Sequence, residues 1–549
     1  MAIVVRPGMS VGAMAAEDDG KFLTECFLET GTVSQISDIE NPKCIALGRT
    51  GSGKSAILLH LLQNADNISQ IEPDALSLNY ISNSTILRFF NELDINLDVF
   101  YQLLWRHVIV VELLKLKKQF HDQDSANRWI ANIQNKISPN KKRIAAIEYL
   151  TKFGSSFWLD TEKRVREVVD KIEQSLEKSL GISVDALRVK ILSDVKDGDS
   201  NSVTETSEII SRAQKVVNDV QIQELNEIIN FLSEDVFNDK LAKYYLVVDD
   251  LDTGWVHDNL RFKLIRALIE TIKKFRKIPN LKIIISMRAD LLESVLKNTH
   301  EKGFQTEKFE DLMIKVKWSR SDLKSMISKR LNTIFKDQYT SKEIEFDEVF
   351  PTKIGEVDSL NYMLDRSLQR PRDVISFVNE CFTASDGGTT SIGTKVIRNA
   401  EASYSRKRVA ALADEWREAY GSLEVALESL GGLEVRFTFA DLRDEFFEDL
   451  CLRVIVGDGV SIGQFANYCN AAIIGPTANY NVVRRAFIEI MYIIGAIGIK
   501  KSPGSAFEWS YNSDPTLNFS VVEPTTKFAI HPMLHRHFNI KSDGSGFNT

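Results

Sequence analysis

The segment from Lys43 to Leu62 reads KCIALGRTGSGKSAILLHLL, and it decides the fold. The apolar run Lys43 to Leu47 predicts a buried strand, and the apolar residues after Ser55 predict a helix. Between them lies GRTGSGKS, residues 48–55, a complete G-x-x-x-x-G-K-[ST] motif in the strand-to-helix context that gives the motif its meaning. The segment therefore predicts a phosphate-binding loop in a parallel α/β fold.

The residue types of this motif suit a triphosphate. Glycines permit positive φ, so that successive N–H groups can face a phosphate, and the following helix adds its positive dipole end. We expect Lys54 to bridge the β- and γ-phosphates and the Ser55 hydroxyl to bind Mg²⁺. The predicted cofactors are ATP and Mg²⁺, and the predicted nucleotide-binding residues are Gly48, Arg49, Thr50, Gly51, Ser52, Gly53, Lys54, Ser55 and Ala56.

A second apolar run, Tyr244 to Val248, predicts a strand that delivers carboxylates to the sheet edge. Asp249 is predicted to complete the Mg²⁺ shell, and Asp250 to orient and deprotonate a water. Asp252 is the preferred N-cap of the following helix. A carboxylate pair after a strand is what a phosphate-binding loop requires for hydrolysis.

A third strand is predicted at Leu281 to Ser286, and Ser286 at its end is predicted to contact the attacking water or the γ-phosphate. Two alternatives stay open for Arg288, which either reaches a phosphate or pairs with Asp290. These polar residues extend the predicted catalytic set beyond the glycine motif.

Farther along, the residues QRPRD at 369–373 open a predicted helix, with Pro371 in its first turn. Arg372 is predicted to reach over the nucleotide and report loss of the γ-phosphate; incidental surface charge is the alternative. Arg320 and Arg330 are candidates for an arginine supplied to a neighbouring subunit.

Organisation along the chain predicts an α/β protein. The fold class is a P-loop NTPase core, a parallel sheet with helices on both faces, carrying a large all-α insertion, a helical lid and a C-terminal winged-helix-like α+β domain. The predicted boundaries are 15–95 and 241–318 for the core, 96–240 for the insertion with its helical hairpin, 319–418 for the lid and 419–549 for the C-terminal domain.

Four local expectations complete this organisation. Leu76 to Ile81 is predicted as a strand, and the polar run Lys196 to Glu205 as an exposed tip between two helices. Phe487 to Lys500 is predicted as a helix that runs into a strand, with Phe507 to Tyr511 as the partner strand.

Composition bounds the function. The chain has 549 residues, enough for about three or four folding units. Its 68 basic and 76 acidic residues leave a net charge of −8, which disfavours a polyanion partner. Five scattered cysteines indicate a reducing cytosol, and the longest apolar run, Val108 to Leu116, is too short to span a bilayer. We expect a cytoplasmic protein without membrane contact.

Together, several segments resemble a family of bacterial P-loop ATPases encoded in mobile and defence loci, and they are similar in motif to the KAP and STAND NTPases. The segments are Ala15–Asp19 with Phe27, Gly48–Ser55, Leu104–Val108, Asp249–Asp252 and Arg370–Asp373. In the KAP-like Asn-Pro-Arg element, Arg370 stands in the Asn place and Arg372 is the matching arginine. The resemblance implies an oligomerising ATPase switch in anti-phage immunity, acting with a separate effector protein.

Three functional classes stay open. The first is this ATP-hydrolysing switch, and the second is an AAA-type ATPase that grips DNA through the winged helix. The third is a kinase with a small acceptor, which fits the paired carboxylates less well. DNA contact would use Arg484, Arg485, Lys500 and Lys501, but acidic residues crowd the same region, so protein contact is favoured. The histidines near the end, His531, His535 and His537, follow no metal-site pattern.

Overall fold

The computed structural model describes most of the chain outside the predicted insertion. Apart from isolated residues and short pieces, the described residues are 4–73, 97–118, 228–239, 241–256, 258–299, 307–336, 343–385, 391–417, 419–457, 463–474, 479–502, 504–512 and 522–540. The predicted strand Leu76 to Ile81 and the predicted tip Lys196 to Glu205 lie outside the described residues.

Internal contacts divide the chain into two compact units. We call them the sheet unit, residues 29–49 and 54–316, and the helical unit, residues 1–28, 50–53 and 317–549. Each unit has a hydrophobic core of its own. The glycine motif is continuous in sequence, but its residues 50–53 make their contacts in the helical unit.

The sheet unit is built on a five-stranded sheet in the order β2-β3-β4-β1-β5. All of its pairings are parallel. Its strands are β1 (Ile45–Gly48), β2 (Ile68–Ile71), β3 (Tyr244–Val248), β4 (Leu281–Arg288) and β5 (Met313–Lys315). Every residue of β3 is buried, as expected of a strand covered on both faces. The chain is thus a mixed α/β protein with a parallel sheet.

Helices connect these parallel strands, because a parallel crossover needs a long connection. The helix α2 (Gly31–Ser37) precedes β1. The connecting helices are α3 (Lys54–Asn64), α4 (Asp98–Lys118), α5 (Asp258–Phe275), α6 (Ala289–Asn298) and α7 (Glu307–Glu310), with a π-helical turn at Leu232–Val236. The apolar run Val108 to Leu116 lies within α4. No helix of the described segments has both the length and the apolar composition needed to cross a membrane.

The helical unit begins with α1 (Gly20–Cys26), which packs against α8 (Arg320–Lys336). Beyond α8 the described residues up to 416 are mainly helical, as predicted, and include a hairpin of β6 (Lys353–Ile354) and β7 (Val357–Asp358). The other helices of this stretch are α9 (Phe346–Val349), α10 (Ser359–Asp365), α11 (Pro371–Thr383) and α12 (Thr394–Trp416). Pro371 occupies the first turn of α11, where its missing N–H costs nothing.

The last part of this unit carries a three-stranded antiparallel sheet in the order β8-β10-β9. Its strands are β8 (Arg436–Thr438), β9 (Ile497–Lys500) and β10 (Lys527–Ile530). The helices here are α13 (Leu423–Glu428), α14 (Asp444–Gly457), α15 (Gln464–Ile474), α16 (Asn481–Ile493) and α17 (Pro532–His535).

The strands predicted from the sequence agree with the structure in the five-stranded sheet and differ in the small antiparallel sheet. The predicted strands at residues 43–47, 244–248 and 281–286 are present as β1, β3 and β4, and the predicted helix and strand at 487–500 are α16 and β9. The segment Phe507 to Tyr511, predicted as the partner strand, does pair with β9, but only through a single antiparallel bridge between Glu508 and Ile499. The partner of β9 along its length is β10, which supplies four paired residues, three of them buried.

The contact between α4 and α5 gives a test of the sheet unit's core. Trp105 of α4 is fully buried, donates its indole N–H to the Leu264 carbonyl at 2.8 Å and meets Trp255 edge to face. We expect Trp105→Ala to lower the free energy of unfolding by about 3–5 kcal/mol, since it leaves a large cavity. Urea unfolding followed by circular dichroism measures the change. The control is Leu241→Ala, because Leu241 is 93% exposed; equal transitions for the two variants would contradict the packing described.

Candidate functional site

The carboxyl edge of the parallel sheet gathers four predicted site residues around Asp249. Asp249 follows β3, Ser286 lies in β4 between β3 and β1, and Lys54 and Ser55 begin α3. Parallel strands end at the same edge, so residues at their ends meet. The Asp249 carboxylate accepts hydrogen bonds from the Ser286 and Ser55 hydroxyls and from the Asp250 backbone N–H.

Electrostatics at Asp249 show two opposed effects. Burial raises the pKa of the Asp249 carboxyl, while the three hydrogen bonds and the nearby Lys54 ammonium oppose the rise, leaving the pKa above its usual value. The Lys54 Nζ itself donates to the Gly48 and Arg49 carbonyls, at 3.2 and 3.1 Å. A half-buried carboxylate held by hydroxyls is an arrangement that a hard cation would stabilise.

The residues after Asp249 have different surroundings. Asp250 has a φ of 55°, in the left-handed region that aspartate adopts rarely. The prediction that Asp252 caps the next helix is wrong, since α5 begins six residues later at Asp258. Asp252 instead pairs with Arg288 at 3.5 Å, and Arg288 also pairs with Asp290 at 2.5 Å. Of the two alternatives for Arg288, the structure has the ion pair.

In the helical unit, hydrogen-bond donors hold the backbone carbonyl oxygens of residues 50–52, in the middle of the glycine motif. The Thr50 carbonyl accepts from Arg370 Nη1 at 2.6 Å, and the Ser52 carbonyl accepts from Trp318 Nε1 at 2.7 Å. Between them, the Gly51 carbonyl accepts from the Arg372 backbone N–H at 3.4 Å. Three consecutive carbonyls are therefore satisfied by donors from one unit.

The glycines of this segment adopt conformations that other residues avoid. Gly51 has a φ of +74° and Gly53 a φ of +90°. A Cβ on Gly51 would lie 2.7 Å from the Cβ of Arg372, closer than atoms approach. At this position both the backbone angle and the space require glycine.

Arg370 connects the segment to a buried ionic network. Its Nε lies 2.9 Å from Asp373, and its Nη1 lies 2.8 Å from Glu415. Arg408 reaches the same Asp373 carboxylate at 2.7 Å. Burial by itself would raise the pKa of Asp373, but Arg370 and Arg408 outweigh it and hold that pKa below its usual value. Arg370 is thus fixed by two carboxylates while it donates to Thr50.

Arg372, predicted to report on the γ-phosphate, lies beside Gly51 and donates its Nε to the Met14 carbonyl at 3.2 Å. Burial lowers the pKa of Arg372, and the charge of Arg370 lowers it further. The side chain is therefore placed against the glycine segment, with its guanidinium turned to the N-terminal segment of the same unit.

Two hydroxyls in the glycine motif lack a hydrogen-bond partner among the described residues. They are Thr50 Oγ1 and Ser52 Oγ, both buried. Buried polar atoms are usually paired, so an orphan suggests a group that completes it. In the helical unit, the orphaned hydroxyls and the positive φ angles of residues 50–53 fit a phosphate. In the sheet unit, the Ser55 and Asp249 oxygens would hold a Mg²⁺ ion.

The other predicted arginines are engaged within the helical unit. Arg330 is buried, lies 2.5 Å from Asp19 and donates to the Val11 carbonyl. This placement does not suit a finger for a neighbouring subunit. Arg320 pairs with Asp365 at 2.9 Å and remains partly exposed. Trp318 is the residue that the sequence analysis missed; its signal is a tryptophan three positions beyond the end of a core strand.

The basic and histidine residues of the last part are also partnered. Arg484 pairs with Asp444 at 2.5 Å, and Lys501 pairs with Glu508 at 2.7 Å. His531 is fully buried; its Nδ1 accepts from the Met533 N–H, and its Nε2 is hydrogen-bonded to the Tyr511 hydroxyl. The His535 Nε2 donates to the Ile530 carbonyl. These contacts hold the end of the chain on its small sheet.

Comparison with known proteins relates the chain to two others. Residues 321–413 match the FunZ-associated C-terminal helical domain, FunZ_C. This range runs from α8 to α12 and includes Arg370, Arg372, Asp373 and Arg408. The chain is also 22% identical over 543 residues to the "Putative transposon gamma-delta 80.3 kDa protein" of Escherichia coli (strain K12). The alignment covers 95% of this chain and 66% of that relative, so the chain spans just under two thirds of the relative's length.

Asp373 gives a test of the buried network. Asp373→Asn removes the carboxylate that pairs with Arg408 and leaves Arg370 with Glu415 alone. We expect this change to destabilise the helical unit by about 3–5 kcal/mol. The control is Asp414→Asn, which removes an exposed carboxylate paired with Arg417 at 2.5 Å. We expect differential scanning calorimetry to show an unfolding transition at lower temperature for Asp373→Asn but not for Asp414→Asn. Identical traces for both variants would show that the network does not stabilise the fold.

Proposed function

We propose that the protein is a Mg²⁺-dependent ATPase whose nucleotide binds on the glycine motif at residues 48–55. The observation that carries this proposal is the convergence of Ser55, Ser286 and Lys54 on the half-buried Asp249 carboxylate. Residues from two strands and a helix meet there, and their oxygens and ammonium are the groups that Mg²⁺ and a phosphate would use. This convergence supports the proposed P-loop NTPase site.

Binding follows from the backbone of the motif. The N–H groups of residues 51–53 and the Lys54 ammonium supply positive charge for the phosphates, and the α3 N-terminus adds its dipole. Ser55 and Asp249 would hold Mg²⁺, which supplies charge neutralisation on the phosphate oxygens. The Lys54 Nζ, bonded to the Gly48 and Arg49 carbonyls, is kept within the motif until a phosphate replaces those acceptors.

Hydrolysis is assigned to the residues beyond β3. Asp250 is the general base that orients a water and takes its proton. Its left-handed backbone, an uncommon conformation for aspartate, is of the kind that proteins keep at functional positions. Ser286, hydrogen-bonded to Asp249, is the polar residue that senses the γ-phosphate or the attacking water.

The wider role is a conformational switch. Arg372 lies beside Gly51 in the helical unit, so a change in the glycine motif on nucleotide binding would move α11. We propose that the state of the nucleotide is passed in this way to a partner protein and to further copies of the chain in an oligomer. We propose that this switch acts in cytoplasmic anti-phage defence, as the resemblance to KAP and STAND NTPases implies. The printed name of the relative, a putative transposon protein, supports a mobile locus.

Two substitutions test the proposal. Lys54→Ala removes the ammonium that neutralises the phosphates, so we expect ATP binding to weaken by at least a hundredfold. Asp250→Asn removes only the base, so binding should persist while turnover falls by about 10²–10⁴-fold. Calorimetry with ATP and Mg²⁺ measures binding, and release of labelled phosphate measures turnover.

Matched controls lie close to each substituted residue. Lys43→Ala changes a lysine just before β1, and Asp252→Asn changes the carboxylate two residues beyond the proposed base. Both controls should bind and hydrolyse ATP at nearly the wild-type level. Absence of heat from ATP in the wild-type protein would overturn the proposal, and undiminished turnover in Asp250→Asn would remove this residue from the mechanism.

An AAA-type ATPase acting on DNA is the second candidate, favoured by the antiparallel sheet and helices of residues 419–540 as a winged-helix-like domain. The ion pairs of Arg484 and Lys501 argue against it, since both cations already face carboxylates. We expect duplex DNA to change ATP turnover by less than twofold, measured at low and moderate salt. A stimulation that falls steeply with salt would favour the DNA-acting class.

A further inference from the structure

Three consecutive peptide groups in the glycine motif are oriented by donors from one unit. The donors are Arg370 Nη1 on Thr50, the Arg372 backbone N–H on Gly51 and Trp318 Nε1 on Ser52. In a planar trans peptide, the carbonyl and the following N–H point in opposite directions. Fixing these three carbonyls therefore also fixes the N–H groups of Gly51, Ser52 and Gly53, which point the other way.

We propose that Trp318 and Arg370 are positioning residues that preorganise the phosphate-binding N–H groups of residues 51–53. This inference rests on the proposed nucleotide binding and adds residues that the glycine motif does not contain. Free glycine-rich segments have wide conformational freedom, so holding the carbonyls in advance lowers the entropy that phosphate binding must overcome.

Trp318 is suited to this task. Its indole N–H makes the 2.7 Å hydrogen bond to the Ser52 carbonyl, and its ring lies 3.6 Å from the position of a Cβ on Gly53. The ring therefore limits the motion of Gly53 while the N–H fixes the preceding peptide. The Ser52 side chain is itself buried and its Oγ has no partner in the described segments, so the indole bond is the contact that orients this peptide.

Arg370 is suited for a different reason. It is almost fully buried, and Asp373 and Glu415 hold its guanidinium at 2.9 and 2.8 Å. The two carboxylates leave little freedom to the Nη1 that donates to Thr50 at 2.6 Å. A planar guanidinium can donate to two carboxylates and a carbonyl at the same time, whereas a lysine ammonium in this position could not reach all three acceptors.

The Trp318→Phe variant is the first test, because it removes the N–H and keeps a ring beside Gly53. Loss of one neutral hydrogen bond corresponds to about a two- to tenfold loss of affinity. We expect calorimetry to show this loss for ATP with Mg²⁺ and the same factor for inorganic pyrophosphate, since the bond acts on the phosphate cradle. The KM for ATP should rise by the same factor with kcat nearly unchanged, because ground state and transition state both use the cradle.

The matched control is Trp509→Phe, the same substitution at a buried tryptophan packed against Tyr511 and His531. It should leave both dissociation constants unchanged. A wild-type protein that binds neither ATP nor pyrophosphate would end the proposed function itself. Wild-type binding with equal constants for Trp318→Phe and Trp509→Phe would overturn the present inference and leave the proposed function standing.

A second pair of variants decides the question if Trp318→Phe unfolds. Arg370→Lys and Arg408→Lys both change an arginine bonded to Asp373, but only Arg370 also donates to Thr50. We expect Arg370→Lys to bind pyrophosphate at least threefold more weakly than Arg408→Lys, with similar unfolding midpoints. Equal affinities for the two variants would contradict the positioning role.

Discussion

The half-buried carboxylate of Asp249 is the constraint on which the edge of the sheet unit depends. A charge removed from water must be compensated, and here two hydroxyls, a backbone N–H and a nearby ammonium do so. These donors come from separate parts of the sequence, and only the parallel order of β3, β4 and β1 brings them to one place. The order of the strands, the start of α3 and the position of Asp249 are therefore all needed to bring these donors to the carboxylate.

A different constraint acts on residues 50–53. Their carbonyls are bonded in the helical unit, and the positive φ angles of Gly51 and Gly53 leave the N–H groups on the opposite side. The backbone groups of a glycine-rich turn are otherwise weakly restrained, since no side chains limit them. In this protein, the Trp318 indole and the Arg370 guanidinium restrain these backbone groups instead.

Local patterns predicted the core of the fold, because β1, β3 and β4 are short apolar runs next to distinctive polar residues. The same patterns indicated Lys54, Ser55, Asp249 and Ser286 as a group, and the structure brings these together. The placement of Asp252 as a helix cap was wrong, and the strand predicted at 507–511 is reduced to a single bridge to β9. Both placements depend on how far the chain runs before its next element. The role of Trp318 was beyond local reasoning, because its partner Ser52 is 266 residues away.

The network of Arg370, Arg408, Asp373 and Glu415 holds two positive and two negative charges and is therefore electroneutral. Its members are nearly inaccessible to water, so dissolved ions screen it weakly. An apolar substitution of one member would leave a net charge in the interior, whereas removal of an opposite pair would not. Variation among relatives at these positions should accordingly occur in pairs, with an acid and an arginine lost or gained together.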